Sequence, residues 1–90
     1  MIALHRPIIL HLLKYLQVWI DSPMRNEIIK FGKKLKEVRL KKNLSQGDIS
    51  RILGVHRSYI SGLERGIRNP SLLTVQKVAK ALGVNAKELL

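Results

Sequence analysis

An all-α fold is predicted: five helices forming one small domain over residues 24–90, preceded by an additional amphipathic helix in residues 1–23. Apolar residues recur three and four apart through successive segments, the period of a helix that buries one face. Serines and glycines stand between those segments where helices are capped and stopped, and no stretch reads as a strand. Ninety residues, 46% of them hydrophobic, suffice for one core and leave little room for a deep active site.

The first segment places Ile8, Ile9, Leu12, Leu13, Tyr15, Leu16, Trp19 and Ile20 on one wide helical arc, with His11, Lys14, Gln17 and Asp21 opposite. Pro7 suits a first turn and Pro23 pushes Ser22 out of helical dihedrals. These bound the helix near residues 7–21 and put a break at residues 22–24. His5, Arg6, His11, Lys14 and Gln17 interrupt the run, so the stretch of about 18 apolar residues that a membrane span needs is absent. No small-residue cleavage site marks a secretory signal. Tyr15 and Trp19 are expected to pack, and the arc as a whole to be covered by the domain or by another chain.

From Asn26 to about Lys42, Ile28, Phe31, Leu35 and Val38 form a second apolar stripe with lysines around it, and Asn43 ends the helix. Ser45 caps the third helix, with Asp48 three residues on as the partner in a capping box. Gly54 follows as a C-cap able to take positive φ, and the chain restarts within three residues in a fourth helix, Arg57 to Arg65. Gly66 stops it, and Pro70 keeps Asn69 out of helical dihedrals. Ser71 caps a fifth helix that buries Leu72, Val75, Val78, Ala79 and Leu82 before Gly83. Asn85 with Glu88 caps a final turn, Ala86 to Leu90, whose leucines need partners elsewhere.

The third and fourth helices have the makings of a helix-turn-helix, which needs a small residue at the crossing, a glycine at the corner and apolar residues locking the pair. Ser50, Gly54 and Ile60 meet those needs, and Ile49, Ile52, Val55 and Leu63 supply the wedge. Arg57, Ser58, Ser61 and Gly62 are left to face outward. Arginine offers a bidentate fork to guanine and serine hydroxyls reach base edges, so this face has the chemistry of major-groove readout. An arginine at a helix start also opposes the macrodipole, which argues against a purely structural role for Arg57. Tyr59 at the side and Gln46 at the start of the third helix are positioned for phosphates, and Arg68 and Asn69 for further backbone contacts.

Charge points the same way. Seventeen Lys and Arg against six Asp and Glu give +11, a field that draws in polyanions. Lys33, Lys34, Lys36, Lys41 and Lys42 serve equally as a solvated face or as phosphate contacts. Glu64 and Arg65 read as structural ion pairs. A hydrolase built from His56, Ser58 or Ser61 and Glu64 is disfavoured, because all lie on one short helix and its cap, whereas triads converge from separate elements. His5 and His11 are six apart, the wrong spacing for two metal ligands on one helix face. The absence of cysteine excludes disulfides and thiolate metal sites and suits a reducing cytoplasm.

On these residues the chain resembles the lambda-repressor-like helix-turn-helix family over about residues 28–90. "HRSYISGLERGIRNPSL" is similar, more narrowly, to the controller proteins of restriction-modification systems. The resemblance implies a homodimeric regulator of transcription, with Arg57, Ser58 and Ser61 near bases, Tyr59, Gln46 and Asn69 near phosphates, and Arg68 within reach of DNA. Two positions depart from the family: Ser50, where alanine is frequent, and His56, where an acidic or hydroxyl cap is usual. Imidazole is expected to cap a helix poorly. Residues before Met24 fall outside the family pattern, as a dimerisation or docking helix or as the product of an upstream start codon.

The expected function is therefore a cytoplasmic, sequence-specific DNA-binding regulator, a homodimer on a pseudo-palindromic operator, with double-stranded DNA as partner. No enzyme activity, cofactor, metal, small-molecule ligand or membrane partner is expected. An antitoxin or phage-type repressor of the same fold is the alternative. A protein-interaction module using the N-terminal helix is the alternative from another class, and a membrane-surface helix is disfavoured because the lysines lie after Met24.

Overall fold

The structure, a computed structural model, describes residues 2–20 and 22–90; the side chains of residues 2–7 and Trp19 are outside that description, and so are the expectations for Asp21 and for Trp19 packing. The described residues form helices α1 (Ile2–Ile20), α2 (Pro23–Lys41), α3 (Gln46–Leu53), α4 (Arg57–Glu64) and α5 (Leu72–Leu82), then a 3-10 helix over Ala86–Leu89. There is no strand among them. The last five of these elements make the five-helix domain, with α1 ahead of it.

Local chemistry explains most boundaries. Ser22 accepts from the Arg25 N–H at 3.1 Å and Pro23 takes the first helical position, so the expected three-residue break shrinks to the cap itself. Asn43, at φ 58°, turns the chain out of α2. Ser45 and Asp48 form the full capping box: Asp48 N–H to Ser45 Oγ at 2.9 Å and Ser45 N–H to Asp48 Oδ2 at 2.7 Å. Gly54, at φ 68°, caps α3 and makes the corner into α4. Ser71 caps α5 through Thr74 N–H. Two further boundaries differ from expectation. Helix α1 begins at Ile2, so Pro7 lies inside it, where its missing N–H removes one rung of the ladder. Asn85 precedes the 3-10 helix with no side-chain cap, because the tighter turn closes with the Glu88 N–H on the Asn85 carbonyl at 3.0 Å.

One core unites α2 to the 3-10 helix: Phe31, Leu35, Ile49, Ile60, Leu63, Val75, Val78, Ala79, Leu82 and Leu89. Leu89 is fully buried, which answers the question of its partner, while Leu90 stays exposed. Three residues assigned to the interior lie outside it. Ile52 falls beside the Ile49–Ser50–Leu53 stripe, the only inward face an eight-residue helix provides, and is 58% exposed. Val55 sits on the corner past Gly54 and is partly exposed. Leu72, at the first position of α5, borders an open groove with Met24, Phe31 and Leu90 and is 72% exposed.

Two contacts fix α4 against α2. A Cβ built on Gly32 would stand 2.3 Å from the Leu63 carbonyl oxygen and 2.7 Å from that of Glu64, so only glycine permits this approach. Beside it, Arg39 Nε meets Glu64 Oε2 at 2.6 Å and Nη2 meets Oε1 at 3.0 Å, while Nη1 donates to the Leu44 carbonyl at 2.9 Å. Both side chains are more than nine-tenths buried. The hydrogen bonds to Glu64 raise the Arg39 pKa above its ordinary value, so the cation is held.

Among the described residues, helix α1 has no extensive packing against the domain. Ile8, Ile9, Leu12, Leu13, Leu16 and Ile20 are all exposed, so the domain does not cover this arc. Tyr15 does not enter the core either; it is 64% exposed and meets His11 edge to face at 4.8 Å. The chain's longest dimension, 57 Å against 24 and 21 Å, reflects this projecting helix.

Glu64→Gln should destabilise the fold by about 3–5 kcal/mol in urea unfolding, since it strands a buried guanidinium. The Asp48 carboxyl, accepting from the Ser45 N–H, is held below the usual aspartate value. Its contribution is therefore complete above about pH 4, the unfolded-state value, and is lost as pH falls through the lower folded value. Thermal melts of wild type and Asp48→Asn should differ at neutral pH and converge under acid.

Candidate nucleic-acid interface

Helix α4 is held from behind and free in front. Ile60, Gly62 and Leu63 are buried, Arg57 and Ser58 are exposed, and Ser61 is half-buried between the two sides. Helix α3 crosses behind it, and the Gly54 corner sets the angle between them. The helix therefore offers a short row of polar side chains on a rigid support.

His56 begins this row, and it caps α4 despite the expectation that imidazole would serve poorly. Its backbone is extended at φ −71°, ψ 143°, and Nδ1 accepts from the Ser58 N–H at 3.2 Å. Accepting that bond requires Nδ1 to be bare of a proton. The Ser58 hydroxyl, 2.8 Å from the same nitrogen, is consequently the donor in their contact and retains only lone pairs for another partner.

Gly62 does not face outward as expected. A Cβ there would lie 2.6 Å from Arg68 Cγ, because the Arg68 stem is laid across this turn of α4. The Arg68 and Ile67 N–H groups both donate to the Gly62 carbonyl, at 3.2 and 3.0 Å, and bring the loop back along the helix. Arg68 thus joins the α4 row. Asn69 instead borders a groove with Met24, Phe31, Leu72 and Leu90.

Gln46 sits at the first position of α3 and reaches the far end of α4, where Nε2 donates to Glu64 Oε1 at 3.1 Å. The amide is thereby oriented by the Arg39–Glu64 pair. Tyr59 is half-buried against the core and borders a groove with Leu53, Val55, His56, Thr74 and Lys77. Arg57, Ser58, Ser61 and Arg68 are therefore gathered along α4, Gln46 is anchored at its end, and Tyr59 and Asn69 lie to its flanks.

Glu64 pairs with Arg39 and not with Arg65. Arg65 is exposed at the C-cap, four residues past Ser61 and seven past Ser58, which continues the outward row. That spacing was the available signal for including Arg65, and the capping position was the signal for His56. Asp48, the other carboxylate of the motif, is engaged by Ser45 and by Arg51. Among the described residues no three His, Cys, Asp or Glu side chains gather to hold a metal ion, and no helix is long and apolar enough to cross a membrane.

The helix-turn-helix family model matches residues 35–89. Control protein C.BamHI of Bacillus amyloliquefaciens is 48% identical over 69 residues, covering 74% of this chain and 85% of that protein. The crystal structure of the restriction-modification controller protein C.AhdI from Aeromonas hydrophila superimposes with a TM-score of 0.69 at 43% identity, over 72% of this chain and 98% of that one. The controller protein C.Esp1396I, solved as a tetramer in complex with its natural 35 base-pair operator, gives a TM-score of 0.62 at 30% identity over 70% of this chain and 93% of that one. The chain belongs to the helix-turn-helix family, in its lambda-repressor-like form.

Proposed function

We propose that the chain is a sequence-specific DNA-binding regulator of transcription that acts as a homodimer on a pseudo-palindromic operator, in the manner of a restriction-modification controller protein. The observation that carries this reading is the row Arg57, Ser58 and Ser61 on a helix braced from behind by a buried ion pair, with Arg68 of the following loop laid alongside. Likeness to a controller protein solved on its operator supports it. An exposed apolar groove bordered by Met24, Leu72 and Leu90 is suited to pairing between two domains. The cytoplasm is the compartment in which such a protein meets its DNA.

In this reading α4 enters the major groove. Arg57 offers its fork to guanine O6 and N7, and Ser61 reaches a neighbouring edge. Ser58, its hydroxyl proton held by His56, accepts from an exocyclic amine of adenine or cytosine. Gln46, Tyr59, Asn69 and Arg65 serve the phosphates on either side, with Arg68 across the second turn. Catalysis has no support here: His56 Nδ1 caps a helix, Glu64 is bound to Arg39, and both His56 and Ser58 lie on open surface.

Selection of bound sequences from random duplex DNA should enrich a palindrome whose half-sites lie about 34 Å apart along the helix axis. Arg57→Ala should weaken binding to that site by about 1–3 kcal/mol and relax preference at one base pair. Failure to enrich any sequence, with folded protein, would overturn the reading. Salt supplies a second check. A dimer that neutralises about eight phosphates should show a log-log slope of affinity on salt near −7, and a slope near zero would remove the electrostatic part.

A further inference from the structure

The apolar face of α1 is the largest feature that the DNA-binding reading leaves unused. Ile8, Ile9, Leu12, Leu13, Leu16 and Ile20 lie along one side of a 19-residue helix, and the exposure of each is between 42% and 61%. Together they present on the order of 600 Å², at the upper limit of the apolar patches that monomers leave to solvent. With Tyr15 at the edge, the face approaches the roughly 800 Å² that each partner buries in a stable dimer.

Charge decides between occupants. The face itself carries no charged side chain, which leaves an acidic peptide nothing to pair with. Helices that lie in a membrane surface carry a row of Lys and Arg on their polar side. Here Lys14 is the only Lys or Arg among residues 8–20. Of the seventeen Lys and Arg in the chain, only Arg6 and Lys14 precede Met24, so two +11 molecules meet with least repulsion along this segment. An uncharged, self-complementary face of this kind suits a two-fold contact, in which the same patch serves both partners.

We infer that α1 pairs with α1 of a second copy, forming a self-association surface separate from the helix-turn-helix domain. Its partner is this same chain, and its product is a pair of domains joined by a two-helix contact away from α4. The inference does not depend on DNA binding. Where the domains also pair through their own surface, it joins two dimers into a four-chain assembly before DNA is met.

Sedimentation equilibrium of the full chain without DNA, compared with Leu12→Gln/Leu16→Gln, tests it. The expected result is that the variant has half the wild-type mass and the same thermal midpoint, since Leu12 and Leu16 are exposed and lie outside the core. Equal masses would overturn the proposal. So would equal masses accompanied by wild-type binding to vesicles of anionic lipid that the variant lacks, which would identify a membrane as the occupant. Because no DNA is present, failure here leaves the operator-selection result standing, and failure of that selection leaves this one.

Discussion

The buried pair between Arg39 and Glu64 organises the domain. It joins the last turn of α2 to the end of α4, and its remaining hydrogen-bonding capacity is used by the Leu44 carbonyl before α3 and by Gln46 within it. Three helices and a loop therefore share one cluster. Burying two charges is expensive, and such pairs contribute little net stability compared with apolar side chains of similar volume. What this one supplies is geometry: the fork of Arg39 donates two bonds to the carboxylate in one plane, so α4 has one rotation about its axis and one outward face. Gly32 makes the arrangement reachable, since any side chain there would collide with the very carbonyls that end α4.

Much of this architecture was legible in the sequence because it is written in local chemistry. Ser45 with Asp48, Gly54, Ser71 and Gly83 each mark a boundary through a bond or a dihedral that needs only neighbours along the chain. What escaped reading depends on elements distant in sequence. Leu72 has the right spacing to be buried, but nothing in its own segment says that it borders an open groove with Met24, Phe31 and Leu90. Ile52 is apolar on a helix too brief for two inward stripes. Gly62 was taken for an open position because its covering atoms belong to Arg68, six residues on. Glu64 was expected in a structural ion pair and is in one, but its partner, 25 residues away, could not be named from the segment alone.

The candidate site divides along the same line. The polarity of Arg57, Ser58 and Ser61 and their common side of α4 followed from helical period alone, while the anchoring of Gln46 by Glu64 required the tertiary structure. His56 is instructive because a rule about caps misjudged it. An imidazole nitrogen is a competent acceptor when unprotonated, and the ring reaches Ser58 N–H from an extended backbone. The same contact sets which half of the Ser58 hydroxyl is available, so a residue outside the helix shapes what the helix presents.

The laying of Arg68 across Gly62 has a consequence for how such a protein diverges. A change of operator must come through side chains that vary without disturbing the brace, and Gly62 is not among them, because any larger residue would have to displace the Arg68 side chain laid across it. Ile60 and Leu63 are committed to the interior. In the proposed reading, new specificities are therefore reached by exchanges at Arg57, Ser58 and Ser61, a small alphabet on an unchanging frame. Descendants of one ancestor would then differ in the DNA they recognise while remaining nearly superimposable everywhere else.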